Sequence, residues 1–287
     1  MKITFIGGGN MASALIGGLA GHLTAGANIH VVDPNAEQLA RLAADFGVST
    51  APQIDAAAVA SDVIVLAVKP QQMREVAAAL QVQLAQSAGA DADVGGGSGA
   101  AQPLLLSIAA GIRGADLSRW MNGYGAIVRT MPNMPAQIGQ GITGMVALSG
   151  VSPAQRDAAD AIMKAVGTTV WLDDEALIDP VTAVSGSGPA YVFYFIEAMQ
   201  QAAQELGLSA AQGQALALAT FTGAAQLAAQ SPETVSVLRE RVTSKGGTTY
   251  AALTSMEQSG VKQAIIEAIK AAARRGQEMG EELGGAA

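Results

Sequence analysis

Two hydropathy patterns alternate along the chain as far as Leu172. Short, largely apolar runs, of which Val63–Val68 is fully apolar, end in glycine, proline or a polar residue, and between them lie longer stretches whose apolar positions recur every three or four residues. The runs predict strands buried on both faces, and the longer stretches predict amphipathic helices. Strands are expected at Lys2–Ile6, Ile29–Asp33, Val63–Val68, Leu104–Ile108, Ile127–Thr130, Thr143–Leu148 and Thr169–Leu172. Helices are expected from Asn10, from about Ala36 to Phe46, from Met73 to Gln86 and from Ser152 to Val166. The alternation implies an α/β, doubly wound sheet over residues 1–172. From Asp173 the strand signals stop. Residues 173–287 read as an all-α domain with breaks at Gly207, Ser231–Pro232, Ser244–Gly247 and Gly260. Residues 87–102, Ser87 to Gln102, lack periodicity and large apolar groups, which predicts a flexible surface insertion with no function of its own.

The first strand runs into Gly7-Gly8-Gly9-Asn10-Met11-Ala12, and Met11, Ala14, Leu15, Gly18 and Leu19 then follow at helical spacing. Strand, glycine turn and helix with Gly7-x-Gly9-x-x-Ala12 match the Ala-ending dinucleotide fingerprint. Gly7 permits the turn, Gly9 lets a pyrophosphate approach the backbone, and Ala12 lets the helix lie on the strand. The N–H groups at the helix start then face the phosphates. A glycine-rich turn without a ligand has the same composition, and the flanking strand and helix favour the fingerprint. Asp33 follows at about the spacing of the acid that binds an adenosine ribose, and a strand-end turn with Pro34 and Asn35 is its other reading.

In such a sheet, ligands lie beyond the carboxyl ends of the strands. Val68-Lys69-Pro70, Ala109-Ala110-Gly111 and Met131-Pro132-Asn133 are expected there. They bound a cofactor pocket, and Asn133 suits a carboxamide or ribose; each also reads as a stiffened turn. Val184-Ser185-Gly186-Ser187-Gly188-Pro189-Ala190 interrupts a helical stretch from about Asp174 to Leu206. Its glycines and proline oppose a helix by ~1 and ~3 kcal/mol each. Such conflict marks either a functional site or close helix packing. Ser244-Lys245-Gly246-Gly247-Thr248-Thr249-Tyr250 precedes a short helix. It reads as an anion-binding concavity, as an N-cap by Thr248 or Thr249, or as both.

The 287 residues suffice for two domains with real cores. A net charge of −8 argues against nucleic acid. The absence of cysteine excludes disulfides, thiolate metal sites and a cysteine nucleophile. His22 and His30 are the only histidines and read as structural. No metal-ligand spacing and no plausible Ser-His-acid set appears, so the chemistry should rest on a cofactor and on positioning. Lys2 ahead of an apolar stretch imitates a secretory signal, but Gly7–Asn10 breaks the run. The expectation is a cytoplasmic protein without a membrane span.

Together these motifs resemble the pyrroline-5-carboxylate reductase family. The resemblance rests on Phe5–Ala12, Ala67-Val68-Lys69-Pro70, Arg129–Asn133, Val184–Tyr191 and Val242–Thr249, and it spans essentially the whole chain outside residues 87–102. It implies that NADPH or NADH delivers hydride to the C=N carbon of 1-pyrroline-5-carboxylate, giving L-proline in the last step of proline biosynthesis. It implies a Rossmann domain followed by a helical dimerisation and substrate-binding domain. The partner is then a second copy of the chain, with rings of dimers as a further possibility, and each active site draws helices from both subunits. Gly7, Gly9, Asn10, Met11 and Ala12 would hold the pyrophosphate. Asp33, Ala67 to Pro70, Ala109 and Met131 to Asn133 would line the rest of the cofactor site. Ser185, Gly186, Ser187, Gly188 and Pro189 would form the floor near the reacting carbon. Ser244 and the amides of Gly246, Gly247 and Thr248 would hold the carboxylate, and Thr249 would hydrogen-bond the ring nitrogen.

Two features depart from the family pattern. The insertion is longer than usual, and Asp33 stands where many relatives carry a neutral or basic residue. A carboxylate there repels a 2′-phosphate, which opens NADH use. The alternatives are a 3-hydroxyacid dehydrogenase and a non-catalytic dinucleotide-binding regulator. The first uses a lysine on the long inter-domain helix, and none lies between Asp174 and Leu206.

Overall fold

The computed structural model describes residues 1–92 and 102–285. Its first part runs β1 (Ile3–Ile6), α1 (Asn10–Leu19), β2 (Ile29–Val32), α2 (Ala36–Phe46), β3 (Ser49–Ala51), α3 (Ala56–Val59) and β4 (Val63–Leu66). It continues through α4 (Met73–Ala92), β5 (Leu104–Ser107), α5 (Gly114–Trp120), β6 (Ile127–Met131), β7 (Gly141–Ala147), α6 (Pro153–Lys164) and β8 (Gly167–Trp171). The strands form one sheet in the order β3-β2-β1-β4-β5-β6-β7-β8. Every residue of β1, β2, β4 and β5 is buried, which is why these strands carry no polar face. Ile3, Phe5, Val63, Val65, Leu104 and Leu106 pack on the α1, α2 and α6 side, and Ile6, Ile64, Leu66 and Leu105 pack on the α4 and α5 side. The pleat thus sends alternate residues into two cores.

Three features differ from the hydropathy reading. The short elements β3, α3 and α5 were not expected; β3 is an edge strand with Ser49 and Thr50 exposed, so it has no apolar run to reveal it. The sheet is not wholly parallel, because β7 runs antiparallel to β6 and parallel to β8. The β6–β7 link is a single 3₁₀ turn, Met134–Ile138, closed by Gly139 at φ +68°, too short for a crossover helix. Finally, α4 continues past Gln86 to Ala92, which corrects the expected start of the insertion at Ser87. The rest of the expected insertion, residues 93–101, lies outside the described residues.

Past β8, α7 (Ile178–Val181) leads into a π-helical turn, Thr182–Gly186. Then follow α8 (Gly188–Glu205), α9 (Ala210–Gln230), α10 (Val235–Arg241), α11 (Thr248–Gln258) and α12 (Val261–Gly284). The chain divides into two compact units, one of Met1–Gly186 with the stretch from Ala272 onward, the other of Ser187–Ala271. In the first unit the end of α12 covers the loop after β5 and the start of α5. Met279 lies against Gly111, Gly280 against the Arg113 guanidinium, and Gly276 against Asp179. In the second unit α8 packs on α9, with Phe195 and Phe221 edge to face at 5.9 Å.

Candidate functional site

In the first unit β1 sits where the strand order reverses, between β2 and β4. The turn after it is tied to both neighbours: Gly7 N–H donates to Val32 O (2.8 Å) and Ala67 N–H to Ile6 O (2.8 Å). Gly7 has φ +100°, and a Cβ there would stand 2.5 Å from the Ala67 carbonyl oxygen. Gly9 is different. It is the N-cap of α1 with φ −65°, a conformation open to any residue, and a Cβ on it would meet nothing within 4 Å. Helix α1 has no side-chain cap and no acid in its first turn, so no capping side chain occupies its leading N–H groups. Asn10 is exposed, Met11 half-buried, and Ala12 buried against the core. This arrangement fits a dinucleotide pyrophosphate.

The middle glycine is held on both sides. Gly8 N–H donates to Asp33 Oδ2 (2.8 Å), while the Gly8 carbonyl accepts from Ser13 Oγ (3.3 Å) and from the Gln38 side-chain amide. The other Asp33 oxygen accepts from Asn35 N–H (2.8 Å). Asp33 is therefore both a strand-end turn residue and a brace for the glycine turn, with one lone pair left on each oxygen. Ser13 and Gln38 were absent from the sequence reading. The available signal was Asn35-x-x-Gln38, a capping-box pattern. Asn35 does accept from Gln38 N–H (3.1 Å), but the Gln38 side chain reaches Gly8.

The other expected segments also lie at strand ends. Ala67 and Val68 are half-buried after β4, and exposed Lys69 precedes a 3₁₀ turn opened by Pro70. Ala109 is buried after β5, and Met131, Pro132 and Asn133 end β6. Asn133 is largely committed to the protein: Nδ2 donates to Ser185 O (3.2 Å) and Oδ1 accepts from Ile142 N–H (3.0 Å). It thereby ties the π turn to the end of β6, where Met131 also lies against Gly186. Within that turn Thr182 and Ser185 hydroxyls donate to the carbonyls of Ile178 (2.8 Å) and Val181 (3.0 Å). The expected conflict between glycine, proline and helix is met by this π geometry and by Pro189 at the start of α8, where a missing N–H costs nothing. Ser185 to Pro189 are all half-buried.

Arg129, which opens the Arg129–Asn133 motif, carries a charge pairing that the sequence does not show. It is 3% exposed, donates to Glu175 Oε1 (2.9 Å) and faces Asp179 Oδ1 at 4.0 Å. Burial pushes the Asp179 carboxyl above the usual range, against the opposing charges of Arg129 and Arg113.

In the second unit, Gly247 caps α11 without a side-chain bond, so neither Thr248 nor Thr249 is the N-cap. This corrects the capping alternative. Gly247 N–H donates to Ser244 O (3.0 Å), which also removes it from the amides expected to hold an anion. The N–H groups of Gly246, Thr248 and Thr249 and the hydroxyls of Ser244, Thr248 and Thr249 have no hydrogen-bond partner among the described residues.

A serine, a histidine and an acid come close in space, but as structural residues. Ser49 Oγ lies 2.9 Å from His30 Nδ1, and His30 Nε2 lies 3.2 Å from Asp55 Oδ1. These residues share the amino end of the sheet, away from the glycine turn. Ser49 Oγ also donates to Ile29 O (3.3 Å), and Asp55 caps α3. Ser49 gives its proton to the Ile29 carbonyl, so the set ties β2 to β3.

Comparisons with known proteins agree with this geometry. A family model described as pyrroline-5-carboxylate reductase dimerisation matches residues 175–279, and one described as NADP oxidoreductase coenzyme F420-dependent matches residues 2–89. The pyrroline-5-carboxylate reductase of Pseudomonas aeruginosa is 44% identical over 99% of this chain and 98% of its own. That of Haemophilus influenzae is 41% identical over 96% and 97%. The crystallised reductase of Coxiella burnetii superposes with a TM-score of 0.85 at 36% identity, covering 97% of this chain and 98% of that one. The Plasmodium falciparum enzyme, solved with NADP bound, gives 0.83 at 27% identity over 98% of each.

Proposed function

This chain belongs to the pyrroline-5-carboxylate reductase family, and from that membership we propose that it reduces 1-pyrroline-5-carboxylate to L-proline with NAD(P)H, the last step of proline biosynthesis. The observation that carries the reading at the residue level is the uncapped start of α11, with its free amides and hydroxyls. Ser244 and the Gly246 and Thr248 amides hold the substrate carboxylate. The Thr249 hydroxyl hydrogen-bonds the ring nitrogen and orients its proton. Ser185, Gly186, Ser187, Gly188 and Pro189 supply a small-residue floor for the ring.

Gly7, Gly9, Asn10, Met11 and Ala12 hold the pyrophosphate of the dinucleotide. Ala67 to Pro70, Ala109, Met131 and Pro132 flank its two ends, and Asn133 acts through the Ser185 carbonyl. When bound, the dihydronicotinamide supplies a hydride to the C=N carbon. The protonated imine is already electrophilic, so the chain contributes position more than acid strength. Asp33 disfavours a 2′-phosphate, which makes NADH the preferred cofactor. The chain works as a homodimer through its helical part, and we place it in the cytoplasm; no helix among the described residues is long and apolar enough to cross a membrane. A 3-hydroxyacid dehydrogenase role lacks its lysine, since α8 carries none.

The test is cofactor oxidation by the purified protein with 1-pyrroline-5-carboxylate and NADH or NADPH, with proline measured as product. Turnover is expected with both and a higher kcat/KM with NADH. Turnover with neither removes the function, and a higher kcat/KM with NADPH removes the Asp33 assignment. Thr249→Val in the same assay is expected to lose roughly ten- to a hundredfold in kcat/KM, as for a hydrogen bond to a charged group.

A further inference from the structure

The Gly7-Gly8-Gly9 turn has backbone freedom that works against its task. A pyrophosphate site needs the Gly9 N–H aimed outward before the ligand arrives, and a peptide flanked by two glycines has little of its own to hold it there. The structure supplies a holder from a different element. The Gly8 carbonyl and the Gly9 N–H belong to one planar trans peptide and point to opposite edges of it. Gln38, in the first turns of α2, donates from its amide nitrogen to that carbonyl and to Ser13 Oγ (3.2 Å), and Ser13 Oγ donates to the same carbonyl. Arg41 donates to Gln38 Oε1 (3.0 Å), which fixes which end of the amide faces Gly8. The fit extends to the stem: a Cβ on Gly8 would stand 3.3 Å from Gln38 Cγ, so the glycine leaves room for the side chain to lie flat against the turn. On the preceding peptide, Asp33 holds the Gly8 N–H. The Gly9 N–H itself has no acceptor among the described residues.

We infer that Gln38 is a positioning residue for dinucleotide binding: it locks the Gly8–Gly9 peptide so that the Gly9 N–H is presented to the pyrophosphate. It touches neither the ligand's phosphates nor its ribose, and it works through the backbone it holds. The inference rests on the assignment of the glycine turn to the dinucleotide. The pyrophosphate is common to NADH and NADPH, so losing the lock weakens both equally. A residue that read the ribose would instead change their ratio.

The experiment uses the full-length protein and measures Kd for NADH and for NADPH by fluorescence, without imine, in wild type, Gln38→Met and Ser13→Ala. Gln38→Met keeps length and removes the amide. Its Kd is expected to rise about three- to tenfold for each cofactor, the loss of one hydrogen bond, with their ratio unchanged. Ser13→Ala should move both in the same direction by a smaller factor. In the cofactor-free protein, amide exchange at Gly9 should quicken in Gln38→Met. In steady-state kinetics the cofactor KM rises while the imine KM does not. Unchanged Kd values in a folded Gln38→Met overturn the inference while leaving the enzyme assignment intact, and so does a change in the NADH-to-NADPH ratio. Wild-type protein that binds neither dinucleotide overturns both.

Discussion

Gly7 and Gly9 are the same residue for different reasons, and a single added methyl separates them. At Gly7 the methyl meets a carbonyl oxygen, and the backbone lies at a φ that side chains avoid. Gly7→Ala is therefore expected to destabilise the fold by more than ~1 kcal/mol, lowering Tm by several degrees. At Gly9 the backbone is ordinary and the space in front of it is empty. Gly9→Ala should leave Tm within about a degree, yet weaken dinucleotide binding by about tenfold or more, because the methyl occupies the ligand's place. Thermal unfolding and cofactor titration of the two variants check this; equal Tm losses would show that Gly9 is structural. The glycine turn after β1 was legible because its pattern is local; the bond from Gly8 N–H to Asp33 was not, since it joins residues from two strand ends. Nor were the roles of Gln38 and Arg129, because what each does depends on a partner brought in by the fold: Gly8 from another element, and Glu175 from beyond β8.

At the scale of elements, β1, β2, β4 and β5 show as largely apolar runs because every residue in them is buried, whereas β3 and the short helices leave no such trace. The break at Ser185–Pro189 was visible as a local conflict, but its form was not, since a π turn depends on how Thr182 and Ser185 bond back to the chain. Helix α6 offers a pH test. Asp160 accepts from Thr169 Oγ1 (2.7 Å) and Trp171 Nε1 (3.0 Å) and pairs with Lys164 (2.6 Å), so it fastens α6 to β8. Burial raises its carboxyl, but hydrogen bonds from Lys164, Thr169 and Trp171 outweigh that and hold it below the ordinary 3.8. A carboxyl lowered in the folded state stabilises above its unfolded value and loses that contribution as pH falls through its folded value. Asp160→Asn should therefore lower Tm at neutral pH, and the gap to wild type should narrow below about pH 3.8. A gap independent of pH would mean that the contacts are not charge-assisted.

At the scale of the whole molecule, the second unit leaves apolar surface open. Helices α8, α9 and α12 line a groove of about 570 Å³ that includes Tyr194, Phe195, Phe221, Ile265 and Ile269. Ile265 is 43% and Tyr194 75% exposed in the single chain, as expected of a surface covered by a second copy. Ile265→Glu should fold, since the site admits water in the monomer, but should sediment as a monomer and lose activity. A fully active dimeric variant would place the subunit contact elsewhere. The end of α12 has a consequence of another kind. Arg119 donates to the Gly284 carbonyl across 165 residues of chain, and Met279 and Gly280 close over Gly111 and Arg113. Synthesis proceeds from the amino end, so a ribosome finishes all eight strands and the whole second unit before it makes the residues that cover this face. The loop after β5 and the start of α5 must therefore wait uncovered while the remaining helices emerge, and their last cover arrives by a closure of very high contact order.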